Sequence, residues 1–145
     1  MKVTIEQIKN AYEFAGQLSY FGIETSEINK VMNARSVMRP HYDKFSAFAE
    51  DVRNAHKPKE DDWNFLVQVE QKGLRKATPE ERERHDQIAV PYKTAVDGAL
   101  EPELTKEIEL EVETISQATV SALLANNQTT LAEIEFYLSF LLKKV

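Results

Sequence analysis

Apolar residues recur at helical spacing over most of this chain and alternate in one short stretch. Ile5, Ile8, Tyr12, Ala15 and Leu18 fall three and four apart and predict a first helix over residues 4–20. Thr4 is placed to cap it, with the Glu6 carboxylate near its positive end. Phe21-Gly22-Ile23 closes it, with Gly22 free to turn.

The second helix has the clearest pattern. Thr25 or Ser26 caps it, and Ile28, Val31, Arg35, Met38, Tyr42, Phe45, Ala49 and Val52 then step alternately by three and four. That is a heptad seam with an arginine at one position. A helix over 26–55 is about 45 Å long, against a radius of gyration of about 15 Å for a compact chain of this length. Such a helix protrudes or takes a partner along its length. Pro40 inside it is expected to bend it.

His56 to Asp62 reads as a turn or loop. Trp63, Leu66, Val67 and Glu70 suit a short helix ending near Gly73, although Phe65-Leu66-Val67-Gln68-Val69 also suits a strand. Thr78-Pro79-Glu80-Glu81 is a helix start with a cap, a proline at the first helical position and a capping-box glutamate. The third long helix then runs through Ile88, Tyr92 and Val96, over Pro91, to a stop near Gly98 to Pro102. Two long helices with a polar connection predict an antiparallel hairpin over 25–100.

The period then changes to two. Ile108, Leu110 and Val112 face one way and Glu107, Glu109, Glu111 and Glu113 the other, which predicts a half-buried strand over 105–114, with a helix as the alternative. A strand needs a partner, and the candidates are Met1 to Ile5, Tyr20 to Ile23, Phe65 to Val69 or another chain. Helices return over 116–144. Ser116 caps one that stops at Asn126-Asn127, and Thr130 with Glu133 opens a last one, with Lys143 and Lys144 at its negative end. The expected fold is one mainly α domain over 1–145: a coiled-coil-like hairpin, a minor β element and a C-terminal helical pair.

Composition narrows the function classes. The 145 residues are 42% hydrophobic and 29% charged, with only 4 Gly and 5 Pro, so a real core is available and long linkers are not expected. A net charge of −6 opposes a phosphate backbone. Lys57, Lys59, Lys72, Arg75 and Lys76 are interrupted by Glu60, Asp61 and Asp62, so direct nucleic-acid binding is not expected. The absence of cysteine excludes disulfides, thiolate metal sites and cysteine nucleophiles. Met1 to Glu6 has no apolar run of the kind a secretory leader carries, and no stretch approaches the roughly 20 apolar residues of a membrane span, so neither is expected. A soluble, intracellular chain is expected.

Candidate chemistry is sparse. Glu81 and His85 share a helix face and could begin a metal site, but with Glu80, Arg82, Glu83 and Arg84 alongside they read better as a solvated charged face. His41 beside the seam reads as packing. The strand glutamates are about 7 Å apart along a face, too spread to converge on a cation, and read as an edge that discourages aggregation. No nucleophile elbow, P-loop or dinucleotide fingerprint occurs. No catalytic, cofactor-binding or metal-ligating residue is assigned. A divalent-metal hydrolase using Glu80 and Glu81 with facing helices is the least favoured alternative. The apolar surface offers more. Met38, Tyr42 and Phe45 on the seam, Ile108, Leu110 and Val112 on the strand, and Phe136 and Phe140 on the last helix are the interface candidates.

The order of elements resembles a family of small uncharacterised phage and prophage proteins. The resemblance rests on the Met1-Lys2-Val3-Thr4 start, the long helix Ile28 to Val52 with Lys30, Arg35, Arg39-Pro40 and Phe45, the alternating Glu107 to Ile115, and the tail Leu131-Ala132-Glu133-Ile134-Glu135. The segment Lys57 to Arg75, with Trp63, departs from the family. The resemblance implies a virion component or assembly factor, acting without catalysis as a homo-oligomer or with phage structural proteins. A cytoplasmic helical adaptor is the alternative.

Overall fold

The computed structural model describes residues 1–143, so the Lys144 expected to close the last helix lies outside the described residues. Those residues are 73% helical, in six α-helices with a small antiparallel sheet. The elements are β1 (Lys2–Thr4), α1 (Ile5–Gln17), α2 (Thr25–His56), α3 (Glu60–Lys72), α4 (Pro79–Leu104), β2 (Glu107–Glu109), α5 (Gln117–Asn126) and α6 (Leu131–Tyr137), then a 3-10 turn at Ser139–Leu141. The chain divides into two compact units. One joins Met1–Phe45 to the segment from Leu104 onward, and the other is Ser46–Glu103.

In the first unit, β1 runs directly into α1. The Thr4 hydroxyl accepts from the Gln7 amide at 3.1 Å while the Gln7 side chain accepts from the Thr4 amide at 2.9 Å. This reciprocal cap stops the strand after three residues and starts the helix. β2 pairs with β1 in the register Lys2↔Glu109, Val3↔Ile108 and Thr4↔Glu107. The strand expected over 105–114 is only three residues long, and toward residue 105 it is bounded by the turn of its partner into α1. The alternation outlasts the ladder: Leu110 is buried, Val112 half-buried, and the four glutamates are exposed. Ile115 then makes a parallel bridge to Leu142.

The seam of α2 is the face that is buried. Val31, Met38, Phe45, Ala49 and Val52 all lie in the core. Its first position differs from expectation, since Glu27 is buried there and Ile28 only half-buried. The three helical prolines share one arrangement. Pro40, Pro91 and Pro102 are exposed, and the carbonyls they leave without an amide partner belong to the exposed Ser36, Gln87 and Gly98. On exposed faces such carbonyls are open to solvent, so a proline costs less there than in a core-facing position. This is why α4 continues to Leu104 instead of stopping near Gly98.

Arg35, the polar member of the seam, forms no ion pair among the described residues and is half-buried. Its guanidinium lies 4.1 Å from the centre of the Tyr12 ring, and its Nε donates to the Tyr12 carbonyl at 3.3 Å. α1 has no basic residue in its last turn, so Arg35 supplies the positive charge that this helix end favours. The approach is close because position 16 is glycine: a Cβ there would stand 2.7 Å from the guanidinium. Arg35→Leu is expected to cost about 1 kcal/mol in a urea melt. A loss of about 3 kcal/mol or more would point to a buried ion pair instead.

In the second unit the part of α2 from Ser46 onward packs with α4, and α3 fills the connection between them. Glu60, Asp61 and Asp62 in its first turn favour a helix over a strand. Gly73, at φ +93°, ends it with its amide donating to the Val69 carbonyl. α3 lies on α4. Trp63 meets Tyr92 edge-on at 5.9 Å, and the Arg84 guanidinium covers the Phe65 ring at 4.1 Å. His85 is consequently buried, not on a solvated face, with Nε2 3.6 Å from Glu70 and Nδ1 3.2 Å from Asp86. Its expected companion Glu81 is occupied elsewhere. It accepts from the Thr78 amide at 3.1 Å and from Lys72 at 2.9 Å, and the Lys72 bond foremost lowers its pKa.

Candidate functional site

The eight interface candidates divide by burial. Met38, Phe45, Leu110 and Phe140 are packed inside the chain's own core. Tyr42 is half-buried, stacked on Tyr12 at 4.4 Å with its hydroxyl donating to Glu13 at 3.0 Å. Ile108 and Val112 are half-buried along the β2 segment. Phe136 stands apart at 72% exposed.

Phe136 belongs to a built surface. α6 is short, and its Ile134 points into the core, followed by Leu138 and Leu141 beyond its end. That fixes the opposite side toward solvent. α6 lies against α1, where Tyr137 stacks on Phe14 at 4.8 Å and meets Phe136 edge-on at 5.0 Å. Two depressions flank this aromatic ridge and share Asn10 and Tyr137. One, of about 440 Å³, is lined by Glu13, Phe14, Gln17, Asn127 and Glu133 among others. The other, of about 370 Å³, is lined by Glu6, Gln7, Glu135, Phe136 and Ser139. Among the described residues no lysine, arginine or histidine lines either one. The surface is aromatic along its crest and acidic on both flanks. It suits an apolar anchor carried by a cationic segment.

The connection from α1 to α2 is tied to α5 beside this surface. Asn127 accepts from the Ser19 amide at 2.7 Å and donates to the Ser19 carbonyl, while Asn126 donates to the Phe21 carbonyl at 2.6 Å. Tyr20, just within this connection, donates its hydroxyl to the Ala15 carbonyl at 2.6 Å. Burial pushes its pKa up to about 12, against the opposing charge of Arg35.

A second polar cluster surrounds Glu27, which is 7% exposed. Its Oε1 accepts from the Ser116 amide at 2.8 Å and from the Thr119 hydroxyl at 2.9 Å, and its Oε2 lies 2.8 Å from the Lys30 ammonium. The Lys30 bond first, and the Ser116 bonds next, hold the Glu27 carboxyl down at about 2. The Lys30 pKa is raised by the same bond. Ser116 and Thr119 also hydrogen-bond each other. This carboxylate sits at the N-terminal end of α5, where a negative charge is favoured. Oε1 is bonded to α5 and Oε2 faces the Lys30 charge, so the cluster is an internal tie between α2 and α5. The signal for it lies in the sequence: Glu27 is four residues before Val31, on the same stripe.

Among the described residues, no three His, Cys, Asp or Glu side chains are grouped to hold a metal ion, and no helix is long and apolar enough to cross a membrane. No protein family, curated protein or solved structure matches this chain.

Proposed function

We propose that this protein works by non-catalytic association with other proteins, as a structural or assembly component of the phage type, located in the host cytoplasm or the virion. The working surface in this reading is the α1–α6 face. One observation carries it: Phe136 projects 72% exposed from an aromatic ridge whose neighbours are fixed by core packing. A large aromatic held out in water on a rigid support is the kind of residue that anchors a protein interface. The phage context comes from the resemblance in the order of elements. A cytoplasmic adaptor would use the same face and differ only in its partner. The hydrolase reading draws less support, since its proposed ligand Glu81 is engaged by Lys72 and Thr78.

The test is site-specific photo-crosslinking in the cells that make the protein. A benzophenone analogue of phenylalanine at position 136 is expected to give discrete covalent protein adducts, and the same analogue at the exposed position 50 on α2 none. Smears alone, or equal yields at both positions, would sink the interaction reading. Mass spectrometry of particles sedimented from the same cells addresses the phage context, with the chain expected in the particle fraction.

A further inference from the structure

The same sequence carries a segment whose chemistry complements the α1–α6 face. We propose that this face receives the turn Lys72–Lys76 of a second copy of the chain, so that copies join head to tail. This rests on the interaction reading above and names its partner.

The turn has the chemistry the face lacks. Leu74 is 46% exposed at its tip, and Arg75 and Lys76 follow it, both exposed. Among the described residues neither cation forms an ion pair. The turn is also held in shape. Gly73 sits in the left-handed region, where a side chain would be strained. The Lys76 amide closes the turn on the Gly73 carbonyl at 3.0 Å. Beyond it Ala77 is buried, and its carbonyl accepts two bonds from Arg82, at 3.2 and 3.1 Å. An apolar tip with two adjacent cations is thus presented by a fixed backbone, which limits the ordering cost of docking.

The face offers the complement. Leu74 would seat against Phe136 and Tyr137, with Arg75 and Lys76 toward Glu6 and Glu135, which form no ion pair among the described residues. Glu13 is less available, since it accepts from Tyr42 and lies 3.8 Å from Lys9. The whole chain carries −6, so copies repel unless cations of one meet carboxylates of the next. Turn and face are different patches, and each copy has both. The contact is therefore heterologous, and it builds a ring or an open string of copies.

Two one-sided variants test this. Phe136→Glu damages the face and Leu74→Glu the turn, both at exposed positions, with thermal melts confirming that each stays folded. By sedimentation velocity over a hundredfold concentration range, the wild-type mass is expected to rise beyond dimer. Each variant alone is expected to stay monomeric, its association weakened about tenfold or more. An equimolar mixture should form a 1:1 dimer and nothing larger, because one intact face meets one intact turn. Glu135→Lys combined with Arg75→Glu in one chain should restore growth. A wild type that stays monomeric, a mixture that fails to pair, or association unaffected by Phe136→Glu each overturns the proposal. If the adduct at position 136 then proves not to be twice the mass of the chain, the partner is a different protein and only the self-association fails. No adduct at all removes the interaction reading as well.

Discussion

Replacing Glu27 with alanine is expected to lower the unfolding free energy by about 3 kcal/mol. The carboxylate accepts two hydrogen bonds at the start of α5 and faces Lys30. Removing it leaves the Ser116 amide without its acceptor at a helix end that favours negative charge. Lys30 is partly exposed and can turn to water, so the loss falls mainly on the α2–α5 tie. The pH dependence follows from the same geometry. The carboxyl ionises at about 2 in the folded protein, against an ordinary 4.5. As pH falls, the unfolded chain takes up this proton first. The contribution is therefore full above the unfolded value, declines from about pH 5, and is gone once pH has passed the folded value. Urea melts of wild type and Glu27→Gln between about pH 6 and pH 2 measure it. The two should converge at the acid end. Parallel profiles would show that the acid sensitivity arises elsewhere.

Leu110→Asp is expected to have a larger effect still, at least about 4 kcal/mol and a substantial part of a typical domain's stability. Leu110 is 3% exposed, and its amide donates to the Met1 carbonyl at 2.9 Å at the end of the β1–β2 pair. A carboxylate there has no route to water without opening that pair. The neighbouring Glu111 is exposed, so Glu111→Lys should change stability by less than about 0.5 kcal/mol. Circular dichroism and a denaturant melt separate the outcomes. A Leu110→Asp protein with wild-type signal and stability would mean that this side chain does not face the core.

The contrast between these two sites reflects what a single sequence can carry. Local periods carried most of the fold. The heptad of α2, the capping signatures at Thr4, Thr78, Ser116 and Thr130, and the alternation around Ile108 are each set by residues a few positions apart. Where expectation and structure part, a distant element decides. The ladder begins only at Glu107 because Thr4 turns β1 into a helix, which nothing near residue 105 announces. Arg35 rests on Tyr12 because position 16 has no side chain to block it. His85 is buried because α3, whose own pattern suited either helix or strand, folds as a helix over it. The candidate site was the least legible part. Its carboxylates Glu6 and Glu135 come from opposite ends of the sequence, and their shared surface exists only once α6 has packed on α1. Phe136 was marked as a candidate, but so were Met38, Phe45, Leu110 and Phe140, and composition alone does not separate an apolar residue that fills a core from one that leaves it.

The division of the chain sets an order of events during synthesis. The second unit is one uninterrupted stretch, Ser46–Glu103, whereas the first needs Met1–Phe45 together with the segment from Leu104 onward. On a ribosome the N-terminal segment emerges first and can bring α1 onto α2, but β2, α5 and α6, which complete its unit, follow only past residue 104. Its apolar side chains, Ile8 and Met38 among them, stay incompletely covered while the second unit finds its own contacts. β1 is the slowest part to be satisfied, since its partner lies more than a hundred residues downstream and pairing must close that loop. The nascent chain is thus most exposed to chaperones and proteases at its first-made end, and translation past α6 is the step that ends that exposure.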